Sequence, residues 1–284
     1  MNLWYRLVDL LPFTWANPDS MLFMKNALLA VILLAPAFGL LGTLVVNKHM
    51  AFFSDALGHG AFTGIAVGSL MGFIRPVWSA VIFAGLSALV VTLVKHKSSM
   101  ATDTVIGIFS STAIAFGVFL STTGGRAFTK LNTYLVGDIL SIRPSEILQL
   151  MVVLLAVLLL WILAFNQLLV TSVNSSMAAS RGINVFATEL LFSCSIAVIV
   201  TLTMGWIGLL VINSYLVLPA AAARNIARNI RQYTLAAVSF SVFSGIAGLL
   251  LSYYIGSATG ATIVLLSTGC FLVTLAIRRL THFG

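Results

Sequence analysis

Nine stretches of about 20 apolar residues follow one another along this chain of 284 residues, and they decide what it can fold into. A helix needs about 20 mostly apolar residues to cross a bilayer. The stretches lie at 22–46, 51–73, 77–94, 104–121, 147–170, 186–204, 206–222, 233–255 and 260–277. They predict an all-α polytopic membrane protein with about nine transmembrane helices, eight being the alternative.

The composition excludes the other broad classes of protein. Hydrophobic residues make up 60% of the chain and charged residues 8%, whereas soluble domains carry about 25% charged residues. Disordered chains have low hydrophobicity, so the high hydrophobicity of this chain excludes disorder. Fifteen Lys and Arg exceed seven Asp and Glu, but the basic residues are scattered singly between the apolar stretches. That distribution is typical of membrane loops, so we expect contact with lipid and none with nucleic acid.

The stretches between the spans are too short to hold a soluble domain, so we expect residues 1–284 to form one transmembrane domain. Residues 1–20 mix aromatic, apolar and charged side chains and predict an interfacial segment before the first span. In the second half, basic residues recur in alternate loops, at Arg181, Arg224 and Arg278. Because basic loops stay on the cytoplasmic side, we expect the segment near Arg181 to be cytoplasmic.

Residues 121–146 form the longest weakly apolar interval. The apolar part inside it is too short to cross a bilayer, and we expect a short helix that lies in the membrane or re-enters it. Pro144 stands where a first-turn proline would open the next helix.

The second apolar stretch contains two ionisable residues, Asp55 and His59, four positions apart. Residues four apart in a helix lie on one face, about 40° from each other. Burying a charge within a span costs at least ~2.5 kcal/mol, which favours a functional role over a structural one. One carboxylate and one imidazole suit Zn²⁺, Mn²⁺ or Fe²⁺. The alternative is that Asp55 only accepts a hydrogen bond from His59.

Three glycines form a second ridge on the same stretch, at Gly60, Gly64 and Gly68. They lie on the side of the helix opposite Asp55, about 140° to 220° around the axis. Small residues at every fourth position allow a neighbouring helix to approach closely, so we expect helix packing on this side.

Three other polar residues are candidates for lining a permeation pathway: Asp138, Asn213 and Ser214. Asp138 lies in the short intramembrane segment, where capping a helix N-terminus is an equally good explanation. Asn213 and Ser214 interrupt an apolar span, where hydrogen bonding between helices is the alternative.

Four motifs are informative together: MAFFSDALGHGAFTGIAVG at 50–68, DTVIGI at 103–108, YLVGDIL at 134–140 and GLLVINSYLVLPAAAAR at 208–224. They resemble motifs of the membrane permease subunits of bacterial ABC importers for zinc, manganese and iron. The resemblance implies a type II ABC importer-like permease in the bacterial cytoplasmic (inner) membrane. It also places Asp55 and His59 on the family's acid and histidine, which are implicated in metal passage.

The resemblance further implies a homodimer around a central path, a cytoplasmic ATP-binding cassette ATPase and an extracytoplasmic metal-binding protein. Residues 172–185 resemble the family's cytoplasmic coupling segment, which docks on the ATPase. The residues expected to make that contact are Ser176, Met177, Ala178, Ala179, Arg181 and Gly182.

The chain is not expected to be an enzyme. The dipeptide Gly-Lys does not occur in it, so it has no P-loop, and ATP would be used by the partner subunit. We expect no permanently bound cofactor and transport of a divalent metal by alternating access. Zinc is the expected metal because Gly137 and Asp138 look closer to the zinc members of the family. Manganese or iron import is one alternative, and a proton-coupled secondary metal transporter, with Asp55 and Asp138 relaying protons, is another.

Overall fold

A computed structural model of the protein describes residues 2–9, 15, 21–72, 76–98, 100–123 and 137–282, and the secondary structure in these ranges is helical. The helices are α1 (Asn2–Val8), α2 (Leu22–Asn47), α3 (Phe53–Leu70), α4 (Pro76–Lys97), α5 (Thr102–Thr123), α6 (Pro144–Val173), α7 (Ser175–Ser180), α8 (Val185–Ile207), α9 (Leu209–Ile226), α10 (Ile230–Ile255) and α11 (Thr259–His282). A 3₁₀ turn at Ile139–Ser141 precedes α6.

Eight of these helices are long and apolar enough to cross a membrane: α2, α4, α5, α6, α8, α9, α10 and α11. The remaining predicted span, 51–73, corresponds to α3, whose 18 residues include Asp55 and His59. It packs between α4 and α5 and also touches α8 and α9. The prediction of an all-α polytopic membrane protein with eight to nine spans is therefore confirmed.

The bundle is organised around α2, which packs against α6, α9 and α10. Its buried side chains include Phe38, Leu41 and Leu44. Two groups of helices flank this centre. In the first, α3 packs against α4, α5 and α8, and in the second, α11 packs against α9 and α10. Because α3 and α9 belong to different groups, a site at their contact depends on how the groups pack together.

The N-terminal helix α1 is fixed against the start of α2. Trp4 Nε1 donates to the carbonyl oxygen of Lys25 at 3.0 Å, and the Tyr5 hydroxyl donates to Asn26 Oδ1 at 2.8 Å. Lys25, which is buried, forms an ion pair with Asp9. The predicted interfacial segment thus begins as a helix packed on α2, while residues 10–14 and 16–20 lie outside the described part of the chain.

The predicted intramembrane segment is described from residue 137 onward, and residues 124–136 lie outside the described part. It contains the 3₁₀ turn, which is tied to α2 because Asn26 Nδ2 donates to the Ile142 carbonyl oxygen at 3.4 Å. Pro144 opens α6 at its first turn, as predicted. The Glu146 carboxylate accepts from the Arg143 backbone N–H at 2.8 Å and completes the start of that helix.

A single residue, Gly208, separates α8 from α9. Its φ of +85° lies in the left-handed region, which is why glycine stands at the break. The predicted spans 186–204 and 206–222 place the break at residue 205, three residues earlier. The break lies next to Gly137, whose φ is also positive, and a Cβ on Gly137 would collide with Gly208.

Candidate metal pathway

The first turns of α3 place Asp55 and His59 side by side. His59 Nε2 lies 3.5 Å from Asp55 Oδ2, and the exposed fractions of the two side chains are 20% and 34%. An acid and an imidazole are therefore half-buried on one face of a helix that is surrounded by membrane-spanning helices. Both side chains keep an open side from which an ion could approach.

A third polar side chain completes this site from a distant part of the sequence. Asn213 Nδ2, on α9, donates to Asp55 Oδ1 at 2.6 Å. Because the carboxylate can only accept, the Asn213 amide must turn its nitrogen toward Asp55. Within the described part of the chain, the buried Asn213 Oδ1 has no hydrogen-bond partner. A buried acceptor without a donor is costly in a protein.

The register between α3 and α9 is fixed by a glycine. A Cβ on Gly58 would collide with the side chain of Leu209, the first residue of α9. Asp55 lies about one turn before Gly58, and Asn213 lies about one turn after Leu209. The two polar side chains meet because the Leu209 side chain packs directly against the backbone of Gly58.

The glycine ridge of α3 faces α4. A Cβ on Gly64 would lie 2.7 Å from Ala80 Cα, and one on Gly60 would lie 2.9 Å from Ser87 Oγ. Ser79 Oγ also donates to the Gly64 carbonyl oxygen at 2.8 Å. Gly68 is buried on the same helix. These contacts hold α3 by one side and leave the side that carries Asp55 open.

Asp138 and Ser214 lie beside a different space. The exposed Asp138 caps the 3₁₀ turn, since its Oδ1 accepts from Leu140 N at 3.1 Å. Ser214 Oγ donates to the carbonyl oxygen of Leu210, within its own helix. Both residues line a cavity of about 580 Å³ between the α8–α9 junction and the start of α11. The described residues that line it include neither Asp55 nor His59.

The predicted coupling segment is a short helix with a capped start. Asn174 Oδ1 accepts from Met177 N at 3.0 Å and opens α7, and Asn184 Oδ1 accepts from Ala187 N at 3.0 Å and opens α8. Gly182, with a φ of +76°, lies in the turn that follows α7. Ala178 is buried, whereas the other predicted docking residues are exposed: Ser176, Met177, Ala179, Arg181 and Gly182.

Sequence reasoning did not find the contact between Asn213 and Asp55, although it named both residues as candidates. It also gave no role to Glu189, which pairs with Lys95 at 3.1 Å and lies 4.0 Å from Lys48. The sequence did offer a signal for this contact, because Glu189 lies in the first turns of one apolar span and Lys48 and Lys95 lie at the ends of two others.

Among the described residues, no group of three or more His, Cys, Asp or Glu side chains could hold a metal.

Comparison with known proteins agrees with this architecture. The family model described as the ABC 3 transport family matches residues 20–278. The high-affinity zinc uptake system membrane protein ZnuB of Haemophilus influenzae is 30% identical, with 89% of this chain and 97% of that protein covered. The manganese import system permease protein ScaB of Streptococcus parasanguinis is also 30% identical, with 90% of each chain covered.

A solved structure has the same fold. PsaBC from Streptococcus pneumoniae, determined in complex with Fab, superposes with a TM-score of 0.77 and 27% sequence identity, covering 96% of this chain and 95% of that one. The comparisons place the chain among multi-pass proteins of the bacterial inner membrane, as its sequence predicts. This chain belongs to the ABC 3 transport family, which confirms its resemblance to the membrane permeases of bacterial metal-ion ABC importers.

Proposed function

We propose that this chain is the permease subunit of an ABC importer that carries Zn²⁺ across the cytoplasmic membrane by alternating access. The observation that carries the proposal is the half-buried pair of Asp55 and His59 on α3, with the Asn213 amide of α9 bonded to the carboxylate. The pair offers a carboxylate and an imidazole, which together suit a divalent transition metal, and Asn213 holds the carboxylate in place. The zinc and manganese permeases among its relatives support the same class of cargo.

One copy of the chain offers too few ligands for a stable metal site, which usually has four. We propose that two copies pair with their open α3 faces toward each other, so that both sets of Asp55 and His59 border one path. A site assembled from two half-exposed sets would bind an ion transiently and release it when the helices move. That behaviour suits a transported ion better than a resident one.

The energy would come from a separate ATPase subunit that docks on residues 172–185. The exposed side chains of α7, Met177 among them, support this assignment because they have no neighbours that bury them in the described part of the chain. An extracytoplasmic metal-binding protein would deliver the ion from the other side. Asp138, at the rim of the 580 Å³ cavity, is our candidate for the entry side of the pathway.

The metal and the energy source can be tested in one experiment. Proteoliposomes that contain the permease and its ATPase should take up ⁶⁵Zn²⁺ when ATP and the metal-binding protein are supplied, and collapse of a proton gradient should not reduce the uptake. Uptake of ⁵⁴Mn²⁺ without ⁶⁵Zn²⁺ would replace zinc by manganese. Uptake that needs a proton gradient and ignores ATP would replace the ABC mechanism by a secondary transporter.

The site is tested by Asp55→Asn and His59→Ala, which should abolish ATP-dependent uptake while the complex still assembles. The matched control is Asp103→Asn, since Asp103 is also an acid in the first turn of a helix but is exposed. It should leave uptake unchanged. If Asp55→Asn and His59→Ala both transport at the wild-type rate, the pair has only a structural role.

A further inference from the structure

Four helices meet at a charged cluster near the coupling segment, in which Lys48 and Thr171 are buried and Lys95 and Glu189 are partly buried. We name it the Glu189 cluster, and it consists of Glu189 on α8, Lys95 on α4, Lys48 after α2 and Thr171 on α6. Glu189 Oε1 accepts from Lys95 Nζ at 3.1 Å and lies 4.0 Å from Lys48 Nζ. Lys48 Nζ donates to Thr171 Oγ1 at 3.2 Å. None of these residues belongs to the metal site described above.

The cluster holds both ends of the coupling segment. Thr171 lies three residues before Asn174, which caps α7, and Glu189 lies five residues after Asn184, which caps α8. A displacement of α7 must therefore move the backbone that carries Thr171, the backbone that carries Glu189, or both. Lys48 is linked to both of these residues and would follow them.

Lys48 is also joined to the helix that carries the metal ligands. Lys48 is the C-cap residue of α2. A tight turn of four residues leads from it to Phe53, the first residue of α3. The turn is fixed by two backbone hydrogen bonds, from Met50 N to Val45 O and from Phe53 N to Met50 O, both at 3.0 Å. Asp55 follows two residues later. A shift of Lys48 is thus transmitted to the first turn of α3.

The electrostatics make the cluster move as a unit. Lys48 is only 8% exposed, and two lysines share the one carboxylate of Glu189. Separating a buried cation from its partner leaves an uncompensated charge in a medium of low dielectric constant, which is far more costly than moving both together. Lys48 Nζ also lies 5.8 Å from the centre of the Phe192 ring, one turn along α8 from Glu189. The contacts favour joint displacement over rupture.

We propose that the Glu189 cluster is the link that transmits movement of the docked ATPase from the coupling segment to α3 and its metal ligands. This inference rests on the proposed function and makes Glu189 and Lys48 positioning residues, because they act on Asp55 and His59 through the backbone. It implies that a variant without the link still hydrolyses ATP and still contains its metal site and its ATPase, but transports less metal for each ATP hydrolysed.

The test measures metal transported per ATP hydrolysed in proteoliposomes that contain the permease and its ATPase and are supplied with the metal-binding protein. Glu189→Gln keeps the shape of the side chain and removes its charge, so this ratio should fall about 10-fold or more while ATP hydrolysis continues. Glu189→Asp keeps the charge and should restore most of the ratio. The matched control is Lys97→Gln, because Lys97 lies at the same end of α4 but is exposed. It should leave the ratio unchanged.

Thr171→Val is an independent test of the same link. It removes the hydroxyl that accepts a hydrogen bond from Lys48 Nζ and leaves both charges of the Lys95–Glu189 pair in place. We expect a loss of about 3-fold or more in metal per ATP. A wild-type ratio in Glu189→Gln overturns the inference. If both Glu189 variants fail to assemble, a wild-type ratio in Thr171→Val overturns it, and a reduced ratio supports it. A wild-type complex that transports no metal at all would instead refute the proposed function.

Discussion

Asn213 Nδ2 donates a hydrogen bond of 2.6 Å to Asp55 Oδ1, and this bond joins residues that lie 158 positions apart in the sequence. The bond uses one of the two carboxylate oxygens, and His59 lies beside the other. Asp55 is therefore held from both sides, with its rotamer set by α9 as well as by α3. A ligand whose position is fixed by neighbouring groups binds an ion in a defined geometry.

Replacing Asn213 by Leu should weaken metal binding without abolishing transport. A hydrogen bond to a charged group contributes roughly 1.5–3 kcal/mol, so we expect the KM for ⁶⁵Zn²⁺ uptake to rise about 10-fold to 100-fold. The control is Ser195→Ala, because Ser195 Oγ donates within its own helix, to Leu191 O at 2.7 Å, and does not line the cavity. An unchanged KM in Asn213→Leu would show that Asp55 needs no support from α9.

The glycine ridge of α3 predicts a stability effect that is independent of transport. Gly64→Ala places a Cβ 2.7 Å from both Ala80 Cα and Ser79 O on α4, and neither backbone atom can move without shifting the helix. Overpacking of this kind costs roughly 1–3 kcal/mol. We expect a lower thermal unfolding temperature for the purified protein in detergent.

The control for Gly64→Ala lies on the facing helix. Gly85 is a helical glycine of α4 with open space around the position of a Cβ. Gly85→Ala should leave the unfolding temperature unchanged or raise it, because alanine favours helix by about 1 kcal/mol over glycine. Equal unfolding temperatures for both variants would show that α3 and α4 are not in close contact.

The sequence predicted the fold well because the bilayer imposes a simple rule on helix length and polarity. It also predicted that Asp55 and His59 share a face, since four residues make about one helical turn. It did not predict that Asn213 bonds to Asp55, because that contact depends on the close approach of α9 to α3 at Gly58. Helical periodicity relates residues within one helix and carries no information about which helices become neighbours.

Glu189 escaped prediction for a related reason. In the sequence it is one acid near the start of a span, a position where carboxylates commonly stabilise the helix N-terminus. Its role in the structure comes from Lys48 and Lys95, which end two other helices. Each lysine alone looks like a residue of a membrane loop. Only the packing of α2, α4 and α8 shows that the three charges are close together.

Met177→Asp should disrupt the docking of the ATPase without destabilising the permease. Met177 is 45% exposed on α7, and a carboxylate in an apolar contact must be desolvated when the partner docks. We expect the amount of ATPase that copurifies with the permease to fall about 10-fold. The thermal unfolding temperature of the isolated permease should not change.

A surface methionine beyond the other end of α3 provides the control for this variant. Met71 follows directly after α3 and is 68% exposed. Met71→Asp should leave copurification of the ATPase at the wild-type level. Equal loss of the ATPase in both variants would show that the added charge acts through the whole protein and not through residues 172–185.

Lys48 predicts a specific dependence of stability on pH. Burial lowers the pKa of its ammonium group from the usual 10.5 to about 8, with nearby Lys95 acting in the same direction and Glu189 opposing both. The folded-state pKa is thus below the unfolded-state value, so between these two values the unfolded state binds more protons. The stability contributed by Lys48 is then present above pH 10.5 and is lost as pH falls through about 8.

Lys48→Met isolates this contribution, because methionine fills a similar volume and does not titrate. The free energy of unfolding of the wild-type protein, relative to that of Lys48→Met, should rise by a few kcal/mol between pH 8 and pH 10.5. Chemical unfolding in detergent at several pH values measures the difference. A difference that stays constant over this range would mean that Lys48 remains in contact with water, and that the Glu189 cluster is not closed in the folded protein.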